Sequence, residues 1–518
     1  MAALLFQFVS QYRSSIYETA RNLLRSRNNQ FAKVQELRKQ ICEVRSAAEE
    51  LKDKMRRTSE ELHETRRQLK LQQDRADELQ MRANRLPSDL PLKHHSFGAK
   101  MIALCLNLSN KIGFRPTEQA LKMTFEFLEI PDKPPTWSTI RTWSCRAGVA
   151  LLNEPVEVAD DWIWFVDHSC QIGQHKALQI LGIRASELPS SGETLPLEKM
   201  RSLAVSIKTK WTWDDVRKEY EKLAERMGTP RYVVTDGAKE LWETVDVLQN
   251  RGKEVIVLRD FKHYAATVFK KLIGKRDRFL AFRKQWGQTR SAVQQTELGY
   301  FTPPAQKETA RFMNLGPTLS WASMMLYHLD HPDSQAREGI SESRMGEKLG
   351  WVQDYREDIQ CWSRCQSIIQ TSLRLINREG LSAGTSLRLS EELARLRLRH
   401  SWDCETSDAM CKELVTFVLR EESKLNHDER TWISTENLES AFGQFKRLEG
   451  QHSKGGLTSL SAAMGTVLCR WTPQRVRELL PTVSTKQVDQ WVKQELGCTL
   501  AAKRKLAYRE AANSSVWQ

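Results

Sequence analysis

A chain of 518 residues, 40% of them hydrophobic, has room for two to four domains with real cores, and its formal net charge of +14 points to a polyanionic partner, nucleic acid first. Ten cysteines without a CxxC motif argue against a disulfide scaffold or a common zinc knuckle and suit reduced thiols in a cytoplasmic protein. A run of about 18 apolar residues is missing, which argues against a membrane span, and the first residues (MAALLFQFVSQYRSS) have no basic stretch ahead of their apolar one, so they match a signal peptide poorly. The chain also lacks GxxxxGK[ST] and HExxH, which excludes a P-loop motor and a zincin protease.

In chain order, the first element is a heptad repeat. Apolar residues run in alternating steps of three and four from Val34 through Leu37, Ile41, Val44, Ala48, Leu51 and Met55 to Leu62, Leu69, Ala76, Leu79 and Ala83, with Thr58, Thr65 and Gln72 as polar interruptions and no Gly or Pro. The spacing predicts a coiled coil within residues 1–86 that serves oligomerisation; an intramolecular helical hairpin or a lone charged helix fits the same pattern. Pro87 and Pro91 end it.

Residues 95–153 read as three helices, about Gly98–Lys111, Pro116–Leu128 and Trp137–Leu152, with Thr136 as N-cap of the third. This spacing fits a helix-turn-helix-like DNA-binding module whose recognition helix carries Ser138, Thr139, Arg141 and Thr142 in its first turns, while Ile140, Trp143 and Ala147 face a core. A packing helix in an ordinary bundle is the alternative.

From Asp161 the period changes. WIWFVDHSC, HKALQILGIRAS and SLAVSIKTK read as three strands, then a helix over Trp213–Met227, a buried strand RYVVTDG, a helix over Ala238–Gln249 and a fifth strand EVIVLRD. Three hairpin-paired strands followed by two parallel additions is the RNase H order, so residues 158–270 are expected to form the first part of an RNase H-like core. Residues 271–428 read as a long helical insertion, 429–456 as a helix completing the core, and 457–518 as a helical, basic C-terminal region. The expected fold class is thus multidomain α plus α/β: coiled coil, helix-turn-helix-like domain, and an interrupted RNase H-like core.

The chemistry follows from strand ends. Asp167 closes the first strand and Asp236 the fourth, and in that sheet order these strands are neighbours, so two carboxylates converge and repel unless a divalent cation sits between them. Mg²⁺, or Mn²⁺, suits an all-carboxylate site. Two ions about 4 Å apart can activate a water or 3′-hydroxyl and steady the leaving oxygen of an in-line displacement. The third carboxylate is assigned to Glu439, on a helix whose Phe442 and Phe445 would dock on the sheet; Glu436 and Glu449 compete with it. Lys446, two turns after Glu439, is placed to reach a DNA phosphate.

These segments, WFVDHSCQIGQHKALQILGIR, YVVTDGAKEL, LRDFKHYAA and STENLESAFGQFKRLEG, together with PTWSTIRTWSCRAG, resemble the DDE transposases of prokaryotic insertion sequences over about Phe97 to Gly456. The resemblance implies a nucleoid-associated enzyme that binds the terminal inverted repeats of its element and performs metal-dependent cleavage and strand transfer into target DNA, as a homodimer or higher homo-oligomer on double-stranded DNA. It maps the acidic triad onto Asp167, Asp236 and Glu439, carries Lys446 over from the basic residue after the Glu, and gives His263, in a D-x-x-H pattern with Asp260, a role in DNA contact or site support; a simply packed histidine is the other reading. Trp362, Trp402 and Trp432 are candidates for stacking on flipped bases or for core packing. Cys361 with Cys365, and His400 with Cys404 and Cys411, leave a structural zinc open beside helix-face cysteines. A catalytically dead DNA-binding oligomer and an RNase H-like nuclease of another kind remain as alternative functions.

Overall fold

In a computed structural model, the described residues are 89–249, 251–252, 254–305, 315–333, 341–400, 404–450, 457–497 and 500–513, preceded by residues 18, 23, 26 and 64–73. The chain divides into two compact units, Met1–Ser88 and Asp89–Gln518. Of the first, residues 64–73 are helical and exposed; most of the heptad repeat from Val34 to Ala83 lies outside the described residues.

The second unit begins with α1 (Ala99–Ile112), α2 (Phe114–Phe127) and α3 (Trp137–Asn153). Asp89 starts it off, its carboxylate taking the backbone N–H of Lys100 at 2.9 Å and of Met101 at 3.1 Å in the first turn of α1. Thr136 caps α3, accepting from Thr139 N. Ile140, Trp143 and Ala147 are buried, as their spacing predicts, but so are Ser144, Cys145, Gly148, Val149 and Ala150, so the middle of α3 is enclosed on nearly all sides. A Cβ on Gly148 would stand 1.9 Å from the Ala462 carbonyl oxygen, so the 3₁₀ segment Ser459–Leu468 lies directly on the helix backbone.

Five strands follow: β1 (Trp162–Ile172), β2 (His175–Arg184), β3 (Arg201–Lys208), then α4 (Trp213–Met227), β4 (Tyr232–Thr235), the short helices α5 (Lys239–Trp242) and α6 (Asp246–Gln249), and β5 (Ile256–Arg259). The sheet order is β3-β2-β1-β4-β5. The first three strands are antiparallel, and β4 and β5 add in parallel to β1, which is the strand order expected from the sequence. Both faces are covered, so the strands read as near-continuous apolar runs. Ile163, Phe165, Tyr232, Val234 and Leu258 face one core, which includes α3 and the later helices. Trp162, Trp164, Val166 and Val233 face the other, beneath α4 and its Tyr220 and Leu223. The expected single helix over 238–249 is instead α5, a 3₁₀ turn at Glu243–Val245, and α6.

After Asp260 the chain is helical: α7 (Phe261–Phe269), α8 (Asp277–Val293), α9 (Gly316–Asp330), α10 (Glu342–Leu349) and α11 (Arg356–Glu379) precede β6 (Leu381–Ser382), α12 (Thr385–His400), α13 (Glu405–Glu422), β7 (Arg430–Thr431) and α14 (Glu436–Gly450). The region read as free of strands contains one two-stranded antiparallel pair with its edge, β6 with β7. Beyond the 3₁₀ segment come α15 (Pro473–Leu479), α16 (Thr485–Leu496) and α17 (Leu500–Asn513). Trp362 and Trp432 are core residues, 4% and 2% exposed, which removes them as stacking surfaces in this conformation; Trp402 lies outside the described residues. Among the described residues no helix is long and apolar enough to cross a membrane.

Candidate metal centre

The register of the two central strands builds the centre. The last β1–β4 pair is Val166 with Thr235, so Asp167 and Asp236 are the next residues on neighbouring parallel strands. Ile163 and Phe165 alternate with Asp167, and Tyr232 and Val234 with Asp236, so both carboxylates belong to the same face of the sheet. Asp167 is fully buried. Asp236 is half-buried and accepts from Ala238 N at 2.9 Å. Gly237, between them in the turn, has φ +88°, and a Cβ there would meet the Arg259 guanidinium at 2.6 Å.

Asp167, His168 and Asp236 each bring a ligand-type atom to within 4.8 Å of the others. Among the described residues this is the group of three side chains that could hold a metal ion. Carboxylate oxygens and an imidazole nitrogen, buried and converging, are chemically fit for a divalent cation. Among the described residues, the cysteines of α11 and the one preceding α13 are not among such a group: Cys361 Sγ lies 2.6 Å from Cys404 Sγ, and Cys365 Sγ approaches Ser407 Oγ.

The third carboxylate stands apart from that group. Glu439, in the first turn of α14, is bound to Lys262 Nζ at 2.6 Å, with His263 Nε2 at 4.0 Å. The same ammonium reaches Glu436 at 3.2 Å, and Glu436 also takes Asn377 Nδ2 at 2.6 Å. Glu449, the other competitor, is fully buried, accepts from Thr458 N, and has its carboxyl pushed up by burial. Burial works against the charge of Lys262, but the carboxylates of Glu439 and Glu436 hold its pKa above the ordinary lysine value.

His263 is locked in place by Asp260. The Asp260 carboxylate caps α7, accepting His263 N at 2.5 Å and His263 Nδ1 at 3.0 Å, and it also takes the Thr435 hydroxyl at 2.8 Å and the Thr435 N–H. Burial lowers the imidazole pKa, but Asp260 in contact and the fields of Asp167 and Asp236 raise it to about 9. The cationic form of His263 is therefore favoured beside the acidic centre. Lys446 is half-buried on α14, and its charge is felt at Cys170, where burial, chiefly, and the Asp167 carboxylate push the thiol up to about 11.

The α3 residues are placed otherwise. Ser138 is exposed and shares Thr136 Oγ1 with Thr139, both at 2.9 Å. Arg141 donates to Ser459 Oγ at 2.6 Å, and the Thr142 hydroxyl donates to the Ser138 carbonyl at 2.9 Å. All four side chains read as base or phosphate contacts thus have hydrogen-bond partners inside the protein, and of the four only Ser138 is exposed.

Sequence reasoning missed His168, Glu240 and Lys262. His168 Nε2 lies 2.8 Å from Glu240 Oε1. Lys262 was visible between Asp260 and His263, but nothing local ties it to a glutamate 177 residues away.

No family model matches the chain, and no curated protein matches it. Among solved structures it is similar to a chain of the Drosophila P element transposase strand transfer complex, with 10% identity and a TM-score of 0.37 over 74% of this chain and 94% of that one. At that TM-score the likeness is too loose to transfer a residue role or an activity.

Proposed function

We propose that this protein is a metal-dependent DNA transposase that binds the ends of its own element and carries out strand cleavage and transfer, with Asp167, Asp236 and Glu439 as the acidic set. The observation that supports the reading most is the pairing of Val166 with Thr235, which sets two same-face carboxylates side by side at the ends of parallel strands. Two like charges in that position are unfavourable by themselves and are the ordinary means of holding a divalent cation. Mg²⁺ or Mn²⁺ bound there supplies activation of an attacking oxygen and stabilisation of the leaving one.

The chain's own residues define the rest. Asp167 and Asp236 orient the centre from rigid strands. Glu439 would supply the third carboxylate from α14, where Lys262 is its partner in this structure. His263, whose cationic form Asp260 favours, and Lys446 offer positive charge to a phosphate backbone beside the carboxylates. The net charge of +14 suits a long nucleic-acid partner.

The test is cleavage of labelled duplex carrying the element's flanking ends, with Mg²⁺ or Mn²⁺, comparing the wild type with Asp167→Ala. Metal-dependent nicking at the ends that disappears in the variant supports the proposal. Tight binding with no nicking in either protein, under several divalent metals, rejects catalysis and leaves a DNA-binding protein.

A further inference from the structure

A β-bulge interrupts β1 directly after Asp167, where His168 follows. Asp167 pairs with Gln179, and the next pair is Cys170 with Ala177, so β1 advances three residues where β2 advances two. The extra residue lies between Asp167 and Cys170. In an unbroken strand His168 would project with Trp164 and Val166 into the core under α4, opposite to Asp167. Bulges can re-aim side chains and are frequent next to active sites. Consecutive residues here, Asp167 and His168, each bring a ligand-type atom to within 4.8 Å of one from Asp236.

His168 is 9% exposed and does not stand alone. Glu240 Oε1 engages its Nε2 at 2.8 Å, which leaves Nδ1 as the nitrogen free to coordinate. Glu240 is itself fixed by its surroundings. It lies on α5, four residues after Asp236, in a turn anchored by Tyr220, whose hydroxyl donates to the Leu241 carbonyl at 3.0 Å, and by the Thr244 hydroxyl on the Glu240 carbonyl. A carboxylate holding the far nitrogen of a buried histidine is the arrangement by which metal-binding imidazoles are oriented and made more basic.

We infer that His168 is a metal ligand in this centre, positioned by Glu240, and that its nitrogen tunes the site toward manganese-class divalent ions over magnesium. The inference rests on the proposed carboxylate centre and adds a donor that an Asp-Asp-Glu set lacks. Mg²⁺ takes oxygen ligands and keeps its waters, whereas imidazole favours the transition-series ions.

The decisive measurement is Mn²⁺ titration of the full chain without DNA, followed by electron paramagnetic resonance, with pulsed detection of ¹⁴N coupling. The wild type is expected to bind Mn²⁺ with an imidazole nitrogen coupling. His168→Gln should lose the coupling and bind Mn²⁺ more weakly, and Glu240→Gln should keep the coupling while weakening binding on the order of tenfold or more. Mg²⁺ competition should change less than Mn²⁺ affinity in both. Bound Mn²⁺ without nitrogen coupling in the wild type, or coupling unchanged in His168→Gln, overturns the inference; if Asp167→Asn then abolishes binding, the carboxylate centre survives it. Absence of any Mn²⁺ binding by the wild type overturns both. Should His168→Gln fail to fold, His263→Gln decides instead: coupling kept there supports His168 as the nitrogen donor, and coupling lost there overturns the inference.

Discussion

Asp236 and Asp260 occupy equivalent positions at the ends of adjacent parallel strands, since Thr235 pairs with Arg259, yet they meet opposite fates. Asp260 is buried, and its two oxygens serve the start of α7, the His263 ring and Thr435, so it joins the sheet to two helices. Asp236 gives one oxygen to Ala238 N and stays half-buried facing Asp167 and His168. The same residue type at the same place in the sheet is structural where donors converge on it and, on the proposed function, a metal ligand where acceptors do.

That contrast predicts a crossed pattern of losses. Asp236→Ala should cut metal-dependent cleavage by on the order of a thousandfold or more, as removal of a member of a cooperative catalytic set does. Its melting temperature should hold or rise, because a repulsion with Asp167 is relieved. Asp260→Ala should lower stability by about 3 kcal/mol, combining a lost N-cap with unpaired buried donors. Cleavage assays and thermal melts on both variants check this; equal melting losses in the two would break the contrast.

Gly237 sharpens it at lower amplitude. An alanine there must adopt φ near +88° and displace the end of the Arg259 side chain. The expected cost is roughly 1–2 kcal/mol, set by the backbone since the guanidinium can shift. Because the strain falls on the residue after Asp236, Mn²⁺ binding should weaken as well. A Gly237→Ala protein with unchanged melting and metal affinity would mean that the turn does not set the carboxylate.

The sequence made the strand order and the two strand-end aspartates legible because they depend on local patterns: apolar runs, turn residues, and an Asp after each run. It could not tell Asp236 from Asp260 by pattern, since both end a strand; the difference is the arrival of Thr435 from a distant segment. The bulge after Asp167 was hidden for the same reason, because it is a mismatch in pairing between two strands that each look regular. The helix-turn-helix reading of α3 used the correct helix and the correct buried positions, but the 3₁₀ segment that covers it comes more than 300 residues later, and the partner of Arg141 is Ser459. Lys262 bridging Glu436 and Glu439 is another long-range match of charges that composition does not reveal.

The opposite end of β4 supplies the smallest and most selective test. Arg231 enters the strand with its N–H on the Trp162 carbonyl, and its guanidinium grips Glu429 through Nε at 3.0 Å and Nη2 at 3.2 Å, while the Tyr232 hydroxyl donates to Glu429 at 2.5 Å. Burial raises the Glu429 carboxyl, but the hydrogen bonds from Arg231 and Tyr232 outweigh it and hold the pKa down to about 2, against an ordinary 4.5. A folded pKa below the unfolded one means stability that is fully present above about pH 4.5 and is lost as pH falls toward 2. Glu429→Gln should therefore melt below the wild type at neutral pH, and the gap should narrow across that window. Cleavage at neutral pH should be retained, because this carboxylate lies at the strand end away from Asp236. A melting gap independent of pH would assign Glu429 a packing role instead, and lost cleavage would show that both ends of β4 set the metal centre.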